Sequence, residues 1–180
     1  SVLEMTGAYA CIANGGTYYE PSYYTVVYDH DGNVLLDKRE KEGKRVLKET
    51  TSYLLTDMME DVITSGTGTA AQISGMNVAG KTGTTSDNVD LTFYGYTAYY
   101  TAGIWMGYDT SKEMKNVSGS AHLKIWKHVM SQTHADLPNK EFTRPDGIVT
   151  LSVCAASGGQ PSSLCSQDYY GYSARSDLAA

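Results

Sequence analysis

The chain has 180 residues, 41% of them hydrophobic and 19% charged, which suits one globular domain with a sizeable core or part of a larger one. A net charge of −6 without any Lys/Arg cluster argues against nucleic-acid binding, and no apolar run is long enough to span a membrane. Three Cys are too few for a disulfide scaffold, and His30, His122, His128 and His134 show no zinc-like spacing, so solvated or structural roles are expected for the histidines.

In chain order, the opening "SVLEMTGAYA" has no initiator Met and runs almost directly into helix-like sequence, as expected of a piece of a longer protein. Residues 3–13 read as a helix with Leu3, Ala10 and Cys11 inward, stopped by Asn14-Gly15-Gly16. A β-hairpin follows, with strands at 24–28 and from 34 to 36 around the turn residues Asp31-Gly32. The mixed-charge run "DKREKEGKR" reads as a solvated loop. Residues 49–65 give the clearest helix: Leu54, Met58, Val62 and Leu55, Met59, Ile63 recur at spacings of four, and "SGTG" ends it. Asp57, Glu60 and Asp61 are placed on its wet face, the sharper alternative being a paired-carboxylate acid/base site.

Three short strands are predicted at 78–85, 91–97 and 101–108, close enough for an antiparallel meander. A last helix at 121–131 presents Leu123, Trp126 and Met130 on one face. Beyond about His134 the composition shifts to Pro, Gly and Ser, which marks residues 1–133 as a domain portion and 134–180 as a tail or linker. Fifteen Tyr against two Phe are best explained by half-buried sheet faces and surface rather than a dedicated aromatic site.

The stretch "SGMNVAGKTGTTSDN" carries three overlapping signatures: a phosphate-loop pattern at 75–82, KTG at 81–83 and SDN at 86–88. A phosphate loop needs an apolar strand before it and a helix after it, whereas "GTAAQIS" precedes and the β-branched, turn-rich "TGTTSDNVD" follows. The run "AGIWMGYD" mimics a magnesium-binding strand, yet the parallel α/β pattern is otherwise missing. KTG makes chemical sense on a strand bordering a cleft. Lys81 places an ammonium beside a nucleophilic Ser and a substrate carboxylate, and the Thr82 and Thr84 hydroxyls donate to that carboxylate. Gly83 lets an extended substrate lie against the strand, and a backbone N–H just after it contributes to an oxyanion hole. By itself KTG arises by chance in roughly a few per cent of chains of this length.

The surroundings decide. "VAGKTGTTSDNVDLTFYGYTAYYTAGIWMGYD" resembles the KTGT strand and following meander of bifunctional (class A) penicillin-binding proteins. "LEMTGAYACIANGGTYYEP", "RVLKETTSYLLTDMMEDVITSGTGTAAQI", "AHLKIWKHVM" and "FTRPDGIVTLSVCAASGGQPSSLC" are similar, in the same order, to the family's N-G-G helix, long helix, closing helix and post-domain tail. Thr92 departs from the family's usual Trp, and Lys48 from a helix-capping Ser. Ser86-Asp87-Asn88 lies too close behind Gly83 to be the family's S-x-N box, which belongs upstream on another element, and reads as a β-turn.

The resemblance implies an α+β fold, an antiparallel sheet flanked by helices, of which this chain carries the C-terminal portion. The first two strands, the S-x-x-K nucleophile box and S-x-N are absent; no Ser here has Lys three residues on. The implied parent is a peptidoglycan D,D-transpeptidase that works through an acyl-serine and is acylated by penicillin. Lys81 is its implied catalytic residue here, with Thr82, Gly83 and Thr84 binding substrate. The fragment alone is expected to be inactive. Expected partners are the D-Ala-D-Ala stem peptide, β-lactams and the N-terminal half of the same domain, with no metal or organic cofactor. The 101–108 strand is expected to lack a neighbour, exposing an edge prone to self-association. An extracytoplasmic parent, anchored by an N-terminal helix outside this chain, permits a Cys154–Cys165 bridge, with Cys11 in the core. Alternatives are a β-lactamase or D,D-carboxypeptidase fragment, a nucleotide-binding module and a non-catalytic cell-wall binding module.

Overall fold

The computed structural model describes residues 1–175. Helix α1 (Val2–Ala13) begins at Ser1, whose Oγ accepts from the Glu4 N–H. Its inward residues are Gly7 and Cys11, while Leu3, expected inward, is exposed. The chain turns at Gly15 and Gly16, both at positive φ. A Cβ at Gly16 would collide with the Leu47 carbonyl, so this turn needs glycine for both conformation and space.

Strand β1 (Thr17–Tyr18) is followed by the expected hairpin, β2 (Val26–Tyr28) and β3 (Val34–Asp37), paired antiparallel around Gly32 at φ 85°. The charged run after it is not wholly a loop. Lys44–Arg45 forms strand β4, antiparallel to β1, and Arg45 donates to the Gly15 carbonyl and to Glu49. The β1 backbone needs partners that only this segment supplies, which overrides the segment's polar composition.

Helix α2 (Glu49–Thr64) starts at Lys48, which gives no side-chain cap, as its departure from a capping Ser anticipates. Only one of the two predicted rows packs inward. Met59 and Ile63 are buried, joined by Ser52 and Thr56, while Met58 of the other row is 58% exposed. Adjacent rows of one helix diverge in direction, and here the sheet offers a hydroxyl. Thr56 Oγ1 lies 2.8 Å from the Tyr96 OH, so the Thr56 hydroxyl is satisfied inside.

Three strands form the central sheet in the order β5-β6-β7: β5 (Ala79–Thr84), β6 (Asp90–Tyr96) and β7 (Thr101–Gly107), all antiparallel. No helix leaves the Lys81 segment, so the phosphate-loop geometry is excluded. Strand β6 is central, and its alternate side chains enter two clusters. Phe93 meets Trp126 of α3 (Ala121–Thr133) edge to face, with Ile63, Val78, Leu123 and Met130 around them. Tyr94 and Tyr96 point the other way, to Tyr9 of α1 and to Met59. The three residues expected inward on the closing helix are all buried. Among the described residues β7 pairs on one side only and is a sheet edge, with Trp105 40% exposed.

Residues 134–180, expected as a tail or linker, contain an antiparallel hairpin in their described part, β8 (Ile148–Cys154) with β9 (Asp168–Ala174). A Cys154–Cys165 disulfide closes it, and Cys11 is buried and free. Phe142 packs edge-on against Tyr96, and Arg144 stacks over Tyr172, which meets Tyr53 of α2. Two histidines are structural: His122 is buried, and His134 lies 2.8 Å from Thr97 Oγ1 and 2.7 Å from the Met130 carbonyl.

This packing changes the standing of Glu60. It is half-buried rather than on a wet face, and burial together with Asp57, Asp61 and Glu141 pushes its pKa up to about 7, from an ordinary 4.5. Between those values the folded chain holds a proton that the unfolded chain has released, so stability falls as pH rises through that window. Glu60→Gln, which stays neutral, is therefore expected to unfold at higher urea than the parent at pH 8, by on the order of 1 kcal/mol. The gap should close below about pH 4.5, where Glu60 is protonated in both states. An equal gap at pH 4.5 and pH 8 would refute the electrostatic cause.

Candidate functional site

Strand β5 begins in the core and leaves it. Ala79 and Gly80 are buried, Thr82 and Gly83 half-buried, and Lys81 and Thr84 exposed. The buried end is fixed by close packing. A Cβ on Gly80 would lie 2.8 Å from the Tyr94 carbonyl oxygen and 2.6 Å from the Phe93 ring, so the strand approaches β6 there as only glycine allows. Among the described residues β5 is hydrogen-bonded to β6 alone, which leaves alternate backbone groups of its other edge for an added extended segment.

The register sets the side chains. Lys81 stands opposite Tyr94, Thr82 opposite Phe93, Gly83 opposite Thr92 and Thr84 opposite Leu91. Lys81 Nζ donates to the Thr82 carbonyl at 3.0 Å, so the ammonium is folded back along its own strand. Thr82 Oγ1 lies 2.7 Å from Thr67 Oγ1. Thr92, flagged by its departure from Trp, donates to the Gly83 carbonyl at 3.4 Å and fills the space a side chain at Gly83 would need.

The strand ends in the expected turn. Ser86–Asn88 is a single 3-10 turn with Asp87 at φ 59° and Asn88 at φ 51°, left-handed conformations that Asp and Asn tolerate best. Thr85 and Asp90 close it, the Asp90 N–H donating to Thr85 Oγ1 at 2.8 Å, and the Trp105 indole donates to Asp90 Oδ1 at 2.9 Å.

The four sequence-predicted site residues therefore share one short edge segment. Sequence reasoning missed Thr67, treating "SGTG" only as a helix stop; the repeated Gly-Thr pairs at 66–69 were the available signal. The alternative acid/base trio stays together on α2, Asp57 and Glu60 half-buried and Asp61 exposed, and none of them hydrogen-bonds through its carboxylate to a β5 residue. No cluster of His, Cys, Asp and Glu suited to a metal ion occurs among the described residues.

An antiparallel sheet between helices, with a Lys-Thr-Gly-Thr strand at its border, defines a class that comparison identifies. Residues 1–134 match the model of the penicillin binding protein transpeptidase domain, and the chain belongs to that family. It is 40% identical over 168 residues to penicillin-binding protein 1A of Clostridium perfringens, covering 93% of this chain and 20% of that protein. It is 34% identical to penicillin-binding protein 1A/1B of Bacillus subtilis, covering 91% of this chain and 19% of the relative. The chain thus spans about a fifth of the length of these relatives.

Solved structures agree. The penicillin-binding protein PonA1 of Mycobacterium tuberculosis superposes with a TM-score of 0.71 at 27% identity, over 80% of this chain and 41% of that one. Penicillin-binding protein 1A of Haemophilus influenzae gives 0.76 over 94% of this chain and 31% of that one; at 19% identity it bears on the fold alone. No helix among the described residues is long and apolar enough to cross a membrane.

Proposed function

We propose that this chain is the C-terminal part of a peptidoglycan D,D-transpeptidase domain, and that β5 is the substrate-binding border of its cleft. The observation that carries this reading is the emergence of Lys81-Thr82-Gly83-Thr84 from the core on a strand edge without a described partner. In the complete domain a serine hydroxyl attacks the carbonyl carbon between the two terminal D-Ala residues. The C–N bond breaks, D-Ala leaves with a proton, and an acyl-serine ester remains. An amine of a neighbouring stem peptide then attacks the ester, forming the cross-link and returning the proton to the serine.

Each β5 residue has one task in that sequence. The Lys81 ammonium swings from the Thr82 carbonyl to the reacting centre, where its charge favours the deprotonated nucleophile and the substrate carboxylate. Thr82 and Thr84 hydroxyls donate to the carboxylate, and Gly83 admits the substrate backbone to the edge. A backbone N–H just after Gly83 donates to the oxyanion. β-Lactams acylate the same serine. Nucleophile and S-x-N box lie outside these 180 residues, in the N-terminal half of the domain, which is the chain's first partner. The parent works on the extracytoplasmic face of a bacterial membrane.

Fluorescent penicillin tests the assignment. The isolated chain is expected to show no covalent labelling, and the complete domain one stable adduct per molecule. Stable labelling of the isolated 180 residues would place the nucleophile within them and overturn the proposal.

A further inference from the structure

The loop between α2 and β5 holds a hydroxyl at a fixed point beside the proposed carboxylate-binding strand. Thr67 sits between Gly66 and Gly68, and both glycines are pressed against the last turn of α2. A Cβ on Gly66 would lie 2.8 Å from the Val62 Cα, and one on Gly68 3.1 Å from the Val62 carbonyl oxygen. Their N–H groups donate to the Asp61 and Val62 carbonyls at 3.0 and 2.8 Å. Ala71, in the 3-10 turn that follows, is fully buried. The loop is anchored on both sides of Thr67, whose side chain remains exposed and meets Thr82 Oγ1 at 2.7 Å.

That pair has a directional constraint. A threonine hydroxyl carries one proton and two lone pairs. When Thr82 donates to Thr67, it has no proton left for an anion. When Thr82 donates to a carboxylate, the short contact with Thr67 persists only if Thr67 is the donor. The charge-assisted bond to the carboxylate is the stronger of the two and fixes the direction.

We propose that Thr67 is a positioning residue: it donates to Thr82 Oγ1 and so turns the Thr82 O–H toward the carboxylate of stem peptide or β-lactam. The proposal rests on the reading of β5 as the carboxylate-binding strand. Thr67 touches no reacting atom; it presets the hydroxyl that does and polarises it through a two-bond chain.

The test uses the complete transpeptidase domain, acylated by benzylpenicillin and by its methyl ester, which lacks the anion. Thr67→Val is expected to lower the second-order acylation rate by benzylpenicillin about five- to tenfold, the scale of one hydrogen bond. It should leave the slow reaction with the ester unchanged. Thr67→Ser should restore the rate with the acid, and Thr67→Val should add nothing on top of Thr82→Val. Equal loss with acid and ester, no loss with the acid, or full additivity with Thr82→Val would overturn the role of Thr67. If Thr82→Val and Lys81→Ala both leave acylation intact, the assignment of β5 itself fails, which is distinguishable from failure of Thr67 alone.

Discussion

Lys81→Ala in the complete domain is expected to reduce penicillin acylation by at least about 10²-fold, the scale of losing a positioned proton-transfer or charge partner of a nucleophile. Lys81 is exposed and its one described hydrogen bond runs to its own strand, so the unfolding midpoint should stay within about 0.5 kcal/mol of the parent. The pairing of a large kinetic loss with unchanged stability separates a cleft residue from a packing residue. Lys81→Arg should not rescue, because a planar guanidinium is larger and does not give up its proton. Acylation of Lys81→Ala at the parental rate would leave β5 as an ordinary surface strand.

Trp126→Ala is expected to have the largest effect on folding, about 3–5 kcal/mol, the range for truncating a buried aromatic side chain. The indole is 3% exposed, meets Phe93 edge to face at 5.0 Å between centroids, and donates from Nε1 to the Ala102 carbonyl at 2.9 Å. Truncation opens a cavity beneath β6 and leaves a β7 carbonyl without its donor. Urea unfolding of the complete domain measures it. A loss below about 1 kcal/mol would mean that α3 does not close the core as described. Since Phe93 stands opposite Thr82, penicillin acylation should weaken along with stability, unlike the clean separation at Lys81.

The two substitutions reflect different kinds of information. The meander, its turn and the closing helix follow from local chemistry. Alternating β-formers on 90–107, Asp and Asn at left-handed positions, and the three- and four-residue spacing of Leu123, Trp126 and Met130 act over a few residues. The KTGT segment was legible only because the order of segments along the whole chain resembles one family; the tripeptide alone would read as an ordinary Thr/Gly-rich strand. The phosphate-loop letters at 75–82 failed for a local reason, since β-branched residues after Lys81 continue a strand rather than start a helix.

Other features were not legible, because they depend on which surface meets which. The two apolar rows of α2 look equivalent in sequence, and only packing against the sheet selects the one with Met59 and Ile63, which brings Thr56 to the Tyr96 hydroxyl. Lys44 and Arg45 pair as a strand because β1 lies beside them, against the preference of their composition. The shift at Glu60 arises first from burial, then from Asp57 and Asp61 on α2 and from Glu141, a sequence-distant residue brought alongside by the segment that seats Phe142 on Tyr96.

By itself, then, the sequence determined the antiparallel meander, the closing helix, the family and the four residues at the strand edge. The elements follow from backbone preferences and hydrophobic periods that act within one element, the family and the four residues from the order of segments along the chain. Only the tertiary structure decided which face of α2 is buried, that Glu60 is half-buried beside Asp57, Asp61 and Glu141, and that Thr67 meets Thr82 across 15 positions. Hydrogen-bond direction and desolvation depend on distances between elements, and those exist only after the sheet and helices have packed.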